Sequence, residues 1–189
     1  MLNKRRIETL IKKLLVEFDP NPDRPGLVET PKRVAKYWVE MLEGAQYTNE
    51  EIAHMFNKCF DDAPTGDLVI EKNIPIFSHC EHHLALIYDC YVTVAYIPKT
   101  KVIGLSKIAR VCEMVGKRLQ LQERIASDIC DIMQMIVGTE DVAVFITGKH
   151  GCMTARGIKS RETVTESTCL RGVFMNEPAA RSELYSRLK

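Results

Sequence analysis

The stretch LALIYDCYVTVAYI, residues 84–97, decides the fold of this chain. β-Branched and aromatic side chains dominate it, and such a composition predicts a long β-strand. Two shorter stretches of the same character, LVI at 68–70 and IPIF at 74–77, precede it, while 141–147 and 163–168 follow it. The sequence therefore predicts several strands in its middle and its C-terminal part.

Predicted helices flank these strands. Apolar residues recur at helical spacing in the first third of the chain and again between the strands. The predicted helices cover residues 7–18, begin at Thr30-Pro31, cover 49–58, begin at a cap on Ser106, cover 121–137 and begin at Pro178. The order of elements indicates an α+β fold with an antiparallel sheet rather than alternating βαβ units. We expect an N-terminal helical segment over 1–60 and a second domain over 61–189.

The composition is that of an ordinary globular domain. The 189 residues carry a formal net charge of +1, which gives no support to a nucleic-acid or membrane partner. No apolar run approaches the length of a membrane span, and the N-terminus leads into an amphipathic pattern instead of a secretory signal. The seven cysteines are an odd number and are scattered along the chain. We therefore expect a cytoplasmic location with reduced cysteines.

Two short clusters, SHCEHH at 78–83 and HGC at 150–152, hold four of the five histidines and two of the seven cysteines. Thiolate and imidazole are the ligands that zinc prefers. Cys80 and His83 are close enough in sequence to bind one ion, and Cys152 could be a third ligand. Three protein ligands with one open position are typical of a catalytic zinc. The remaining histidines, His82 and His150, could then carry protons.

A closed structural zinc site is the main alternative. Cys90, Cys169 or His79 could supply a fourth protein ligand, and structural sites close with four. His150 could also be an ordinary hydrogen-bonded surface residue.

Cationic side chains near the second cluster favour a role beyond structure. Lys107 and Arg110 share a predicted helix face, and Arg156 follows Cys152 closely. Phosphate groups need several such donors, although charged helix faces are usually only solvated. Glu123, near a helix start, is either a capping carboxylate or an acceptor of paired hydrogen bonds from an edge such as that of guanine. The common glycine-rich nucleotide fingerprints are absent from the sequence.

Several longer motifs, in this order, resemble those of GTP cyclohydrolase I. They are TPKRVA (30–35), CEHH (80–83), VAYIP (94–98), VIGLSK (102–107), QLQER (120–124), HGCMTARG (150–157) and GVF (172–174). The resemblance runs from about residue 23 to the C-terminus. Several motifs in register are far more specific than either cluster alone.

This resemblance implies a tunnelling fold, in which N-terminal helices precede an antiparallel four-stranded sheet backed by two helices. Residues 61–189 would be the catalytic domain. The family also implies a homodecamer of two stacked pentameric rings, with active sites at subunit boundaries. Such an assembly would cover sheet edges and an apolar sheet face that one subunit leaves unprotected.

The resemblance further implies a reaction, the first step of tetrahydrofolate and pterin biosynthesis. The imidazole ring of GTP is opened hydrolytically at C8, formate is released, and the product is 7,8-dihydroneopterin triphosphate. Cys80, His83 and Cys152 resemble the ligands of a zinc ion that lowers the pKa of its bound water. His82 and His150 correspond to proton-transfer residues, with His150 placed to protonate the purine nitrogen.

The same correspondence implies a binding site for each part of GTP. Glu123 would grip the guanine edge with Gln122 beside it, and Ser106 would lie near the ribose ring oxygen. The triphosphate would be bound by Lys107, Arg110, Arg156 and Arg33.

Residues 84–91 depart from the pattern of many relatives, and we expect an altered hairpin turn or a β-bulge there. Two other interpretations stay open at this point: a relative of the same fold that acts on another pterin or purine, and a structural zinc module that serves assembly. A zinc deaminase is excluded, because the chain lacks the Pro-Cys-x-x-Cys motif that accompanies His-x-Glu in those enzymes.

Overall fold

The computed structural model describes residues 2–61 and 66–188. The change of character that separates the two predicted segments falls largely on residues 62–65, outside the described residues. No described helix is both long and apolar enough to cross a membrane.

The N-terminal third is helical, as predicted. Helix α1 (Lys4–Phe18) begins where the Asn3 side chain accepts a hydrogen bond from the Arg6 N–H. Helix α2 (Thr30–Met41) carries proline in its first turn and is followed by a 3-10 turn at Glu43–Gln46. Helix α3 (Asn49–Met55) begins with a reciprocal capping box between Thr48 and Glu51 and ends before the predicted limit of residue 58.

Four antiparallel strands form the centre of the molecule and confirm the predicted fold class. They are β2 (Val69–Cys80), β3 (Leu86–Tyr96), β6 (Val142–His150) and β7 (Thr165–Leu170), paired in that order. A two-residue strand, β5 (Leu119–Gln120), adds a parallel fifth strand beside the end of β2. Strands β1 (Cys59–Phe60) and β4 (Val102–Ile103) form a separate small sheet.

The two short strands predicted over 68–77 are one continuous strand. Asn73 has a φ of 58°, and the register of β2 against β3 shifts between Glu71 and Ile74. A β-bulge therefore interrupts the pattern without ending the strand.

Two helices, α4 (Leu105–Gly116) and α5 (Gln122–Val137), pack against one face of the sheet. α4 begins one residue before Ser106, with Gly104 as the capping residue and no side-chain cap, so the predicted cap on Ser106 is wrong. The Lys107 N–H already donates to the Gly104 carbonyl at 2.7 Å, which places Ser106 inside the first turn. The main core lies between these helices and the sheet and includes Ile52, Ile76, Ile87, Val92, Val94, Ile108, Val111, Ile125, Ile129 and Ile146.

Helix α6 (Gly151–Thr154) follows β6, and its Cys152 packs against the main core. Helices α7 (Val173–Asn176) and α8 (Pro178–Leu188) cover part of the opposite sheet face. Leu184, a predicted anchor of the last helix, is fully buried with Phe174, Ala95 and Ala143. Because Ile52 of α3 also belongs to the main core, the division of the chain near residue 60 stays a prediction.

Candidate metal centre and active site

Three side chains meet where two strands end. Cys80 is the last residue of β2, His83 lies in the turn that follows, and Cys152 lies in α6 directly after β6. Their ligand atoms all lie within 4.8 Å of one another. The structure therefore brings together the three residues that the sequence predicted as zinc ligands.

The backbone explains how this convergence arises. The Leu84 N–H donates to the Cys80 carbonyl, and the Cys80 N–H donates to the Ala85 carbonyl, which closes a tight turn around His83. Leu84 has a φ of 52°, a left-handed conformation that is uncommon for a residue with a side chain. The turn holds Cys80 and His83 on the same side of the strand end.

The second half of the centre is held close to β3. Ile87 pairs with His150 across the sheet, and a Cβ at Gly151 would lie 3.0 Å from the Leu86 carbonyl oxygen. Glycine at position 151 therefore allows α6 to approach the neighbouring strand closely. The Tyr88 hydroxyl donates to Thr154 Oγ1 at 3.0 Å and ties the end of α6 to β3.

The donor set suits zinc. Two thiols and one imidazole converge, with Cys80 buried, Cys152 partly buried and His83 exposed, so the centre is open on one side. Burial and the neighbouring Cys80 thiol raise the pKa of Cys152, and a bound cation would favour the thiolate forms instead. In the part of the chain that the structure describes, no other group of three such side chains could hold a metal.

The predicted alternatives for a fourth protein ligand lie elsewhere. Cys90 packs beside Gly148, and Cys169 is buried near Cys130, whose thiol donates to the Cys169 carbonyl. His79 is only 2% exposed and its Nε2 lies 2.6 Å from the Tyr37 hydroxyl. Three protein ligands favour the catalytic pattern over the closed structural one.

Both predicted proton-transfer histidines are near the triad in sequence, but their environments differ. His82 is exposed and its Nδ1 lies 3.7 Å from Cys80 Sγ. His150 is partly buried, and its Nε2 lies 2.8 Å from Gln122 Oε1. Burial lowers the pKa of His150, while the nearby Glu123 carboxylate raises it in part. Burial therefore favours the neutral form of His150.

The first two residues of α5 differ in their exposure to solvent. Gln122 is 1% exposed, and its side-chain amide donates to the carbonyls of Thr165 and Ile146. Glu123 is exposed in the first helical turn, where the helix dipole favours a carboxylate. All hydrogen bonds of the Gln122 side chain go to protein atoms, which leaves Glu123 as the group able to meet a ligand.

An ion pair not expected from the sequence supports this corner. Arg124 Nη1 lies 2.6 Å from Glu81 Oε2 and links α5 to the turn between Cys80 and His83. The Arg124 guanidinium lowers the pKa of Glu81. The residues stand 43 positions apart, so no local pattern could have predicted the pair.

The predicted triphosphate-binding residues lie on three separate parts of the chain, and Arg156 is close enough to Cys152 for its charge to offset part of the rise in the pKa of that thiol. Arg33 is exposed on α2, and Arg156 is exposed just after α6. Ser106, Lys107 and Arg110 lie on α4, whose end at Gly116 packs against Phe77 near the Cys80 end of β2.

The start of α4 lies at the other end of the sheet. The Ile103 N–H donates to the Tyr96 hydroxyl, and Tyr96 pairs with Val69 at the beginning of β2. Ten residues of helix separate Ser106 from Gly116, which corresponds to about 15 Å. Within one subunit, therefore, Ser106 and Lys107 are distant from the metal centre.

Comparisons with known proteins identify the family that this chain resembles. A family model described as GTP cyclohydrolase I matches residues 7–189. A protein named GTP cyclohydrolase 1 from Clostridium botulinum (strain Loch Maree / Type A3) is 54% identical over 188 residues, covering 97% of this chain and 96% of the relative. Proteins of the same name from Clostridium acetobutylicum and Ruminiclostridium cellulolyticum are 47% and 54% identical, over 100% and 93% of this chain and 98% and 93% of their own lengths.

Proposed function

The chain belongs to the GTP cyclohydrolase I family, and we propose which role each site residue has in that family's reaction. The enzyme is a hydrolase that converts GTP to 7,8-dihydroneopterin triphosphate with release of formate. The observation that carries the proposal is the convergence of Cys80, His83 and Cys152 on one open centre.

These three residues would hold the Zn²⁺ ion that the family uses. When bound, zinc acts as a Lewis acid that lowers the pKa of water and so provides a nucleophile near neutral pH. The side of the centre at Cys80 is shielded from water, because this residue is only 5% exposed beneath the turn. The exposed side at His83 leaves room for the substrate.

Glu123 would orient the guanine ring by accepting hydrogen bonds from its amino-imino edge. Its exposed carboxylate lies close enough to His150 to affect the charge of that ring, so a base held by Glu123 would lie beside His150. His150 would transfer a proton to the purine nitrogen during ring opening. His82, exposed beside Cys80, would serve as the second proton carrier.

The ribose and the triphosphate would be bound by exposed polar and cationic side chains. Ser106 would lie at the ribose ring oxygen, with Lys107 and Arg110 on the same helix. Arg156, one turn beyond the triad, and Arg33 on α2 would complete the charge neutralisation of the phosphates. Gln122 stands beside Glu123, with its side chain directed into the protein.

The separation within one subunit supports a homodecamer with shared sites. Ser106 and Lys107 lie at the far end of α4 from the triad, so one copy would provide the metal centre and a neighbouring copy the α4 residues. We propose a decamer of two pentameric rings, in which every subunit contacts two neighbours within its ring through equivalent interfaces. We also propose a cytoplasmic location, because all seven cysteines are free thiols.

Turnover of GTP tests the function directly. The purified protein, incubated with GTP and zinc, is expected to release one formate per GTP and to yield a pterin that fluoresces after oxidation. Formate is quantified enzymatically and the pterin by chromatography with fluorescence detection. ATP serves as the matched control, because its adenine lacks the amino-imino edge that Glu123 would bind. Equal turnover of ATP, or no formate from GTP, would contradict the proposal.

A further inference from the structure

Gln122 is buried in the site, whereas the next residue, Glu123, is exposed. Gln122 is the first residue of α5, it is 1% exposed, and it lies directly behind His150. A buried primary amide must satisfy two donor hydrogens and one acceptor oxygen within the protein. The structure provides partners for all of them.

The two amide hydrogens have fixed partners on adjacent strands. Gln122 Nε2 donates to the Thr165 carbonyl at 2.8 Å and to the Ile146 carbonyl at 3.3 Å. A carbonyl oxygen can only accept, so the reverse orientation of the amide would point an oxygen at two oxygens. The orientation with Oε1 toward His150 is therefore the only one that these partners allow.

That orientation determines which nitrogen of His150 carries the proton. Gln122 Oε1 is an acceptor and lies 2.8 Å from His150 Nε2, so Nε2 must be the donor. No described protein atom makes a hydrogen bond with the other ring nitrogen, Nδ1. The neutral form of His150 is thus restricted by these hydrogen bonds to one tautomer, with the lone pair on Nδ1.

The surroundings leave the Gln122 amide little freedom to move. A Cβ added at Gly148 would lie 3.2 Å from Gln122 Oε1 and 3.3 Å from both Cys90 Sγ and Ile87 Cγ2. The hydrogen-bond partners Ile146 and Thr165 belong to β6 and to its neighbour β7. The amide is therefore enclosed by the sheet, and the position of His150 depends on it.

We propose that Gln122 is a positioning residue that fixes the tautomer and orientation of His150, leaving Nδ1 as the nitrogen that exchanges a proton with the substrate. The proposal rests on the proton-transfer role of His150 given above. Nδ1 accepts a proton from the attacking water and donates it to the purine nitrogen, while Nε2–H stays bound to Gln122. A histidine used in this way is productive in only one of its two neutral tautomers.

The tautomer can be measured without substrate. Solid-state NMR of the zinc-loaded protein, labelled with ¹⁵N-histidine, distinguishes protonated from unprotonated ring nitrogens. Loss of signals in His150→Ala assigns the resonances among the five histidines. In the wild type we expect His150 to be protonated on Nε2 alone. In Gln122→Met we expect a mixture of tautomers, whereas an unchanged spectrum would overturn the proposal.

Kinetics test whether this positioning matters for the reaction. Gln122→Met should lower kcat at least about tenfold while KM for GTP and zinc content stay within about twofold, because the residue acts through His150. Gln134→Met is the matched control, since this glutamine lies near the other end of α5 and bonds only to Glu140. The control should keep the kcat of the wild type.

A double-mutant cycle separates positioning from a general structural role. In the His150→Ala background, Gln122→Met should change kcat by less than about twofold, because its effect passes through the missing ring. Additive losses in the double mutant would overturn the proposal. If the wild type failed to convert GTP, that result would contradict the proposed function. The NMR spectra would still show whether Gln122 fixes the tautomer of His150.

Discussion

Cys152 is the proposed metal ligand that comes from a distant part of the chain, so its removal should dismantle the metal centre. In Cys152→Ala only Cys80 and His83 remain, and two ligands hold zinc poorly. We expect zinc content to fall from about one ion per chain to below about 0.2, with GTP turnover lost in parallel. Metal analysis by mass spectrometry and the formate assay measure the two effects.

Cys59→Ala is the matched control for this prediction. Cys59 is also a partly buried free thiol, but it lies in β1 and its thiol donates to the Ile136 carbonyl. This variant should keep both zinc and turnover. A Cys152→Ala protein that retained a full complement of zinc would remove Cys152 from the ligand set.

Glu123→Gln should weaken substrate binding without affecting the metal. The amide presents a donor where the guanine edge needs a second acceptor, and hydrogen bonds to a charged group contribute about 1.5–3 kcal/mol. KM for GTP should therefore rise at least about tenfold, with zinc content unchanged. Steady-state kinetics and metal analysis test this, with the exposed Glu17→Gln as control. An unchanged KM in Glu123→Gln would exclude the guanine role.

Some features of the site could be predicted from the sequence, and others could not. The concentration of histidine and cysteine in two short clusters was enough to predict a metal site, because zinc prefers these ligands. The fold then brings Cys152 to Cys80 and His83 from a distant part of the chain. Gln122 and Glu123 were predicted together at the guanine edge, yet their side chains point to different environments. Which of two neighbours is buried depends on the angle at which α5 meets the sheet, and no local pattern contains that angle.

The elements themselves were largely predictable, and the exceptions are local. Apolar periodicity located the longer helices and β-branched composition the four long strands, whereas the four-residue helices α6 and α7 were not predicted. The expected bulge near residues 84–91 is confirmed by a register shift between Tyr88 and Tyr91, where Asp89 has a φ of 46°. The two-residue strand β5 was not predicted, because it forms only where the chain between α4 and α5 passes the end of β2.

Two glycines with positive φ allow a stability prediction at the level of elements. Gly172, with a φ of 56°, precedes α7, and a Cβ there would lie 2.2 Å from Asp141 Oδ1. The same carboxylate accepts a hydrogen bond from the Val173 N–H and so anchors the C-terminal helices. Gly172→Ala should therefore lower the unfolding free energy by at least about 3 kcal/mol, through both strain and steric overlap.

Gly138→Ala supplies the comparison. Gly138 has a φ of 66° at the end of α5, but no atom lies within 4 Å of a Cβ added there. Only the backbone strain applies, at about 1 kcal/mol. Thermal unfolding of both variants measures the difference. Equal losses of Tm would show that contact with Asp141 is not what requires glycine at position 172.

At the scale of the whole molecule, the positions of two motifs decide whether an active site is built within one chain or between two chains. The motif around Lys107 and the motif around Cys152 are both intact in the sequence, yet α4 places its first turn about 15 Å or more from the metal end of the sheet. Spacing along a sequence does not say whether two motifs meet within one copy or between two. The family resemblance supplied that expectation, and the position of α4 supports it.

Mixing two defective chains tests the shared site. Lys107→Ala lacks a phosphate-binding residue and Cys152→Ala lacks a metal ligand, so each alone should be inactive. In an assembly co-expressed from both, some sites combine the intact metal centre of one chain with the intact α4 of the other. Random mixing at equal amounts makes about one quarter of the sites complete when each site uses two different subunits. Tandem affinity purification with a different tag on each chain isolates the mixed assemblies, and analytical ultracentrifugation should give the mass of a decamer. If each site were built within one chain, no mixed assembly would recover activity, because every chain carries one defect.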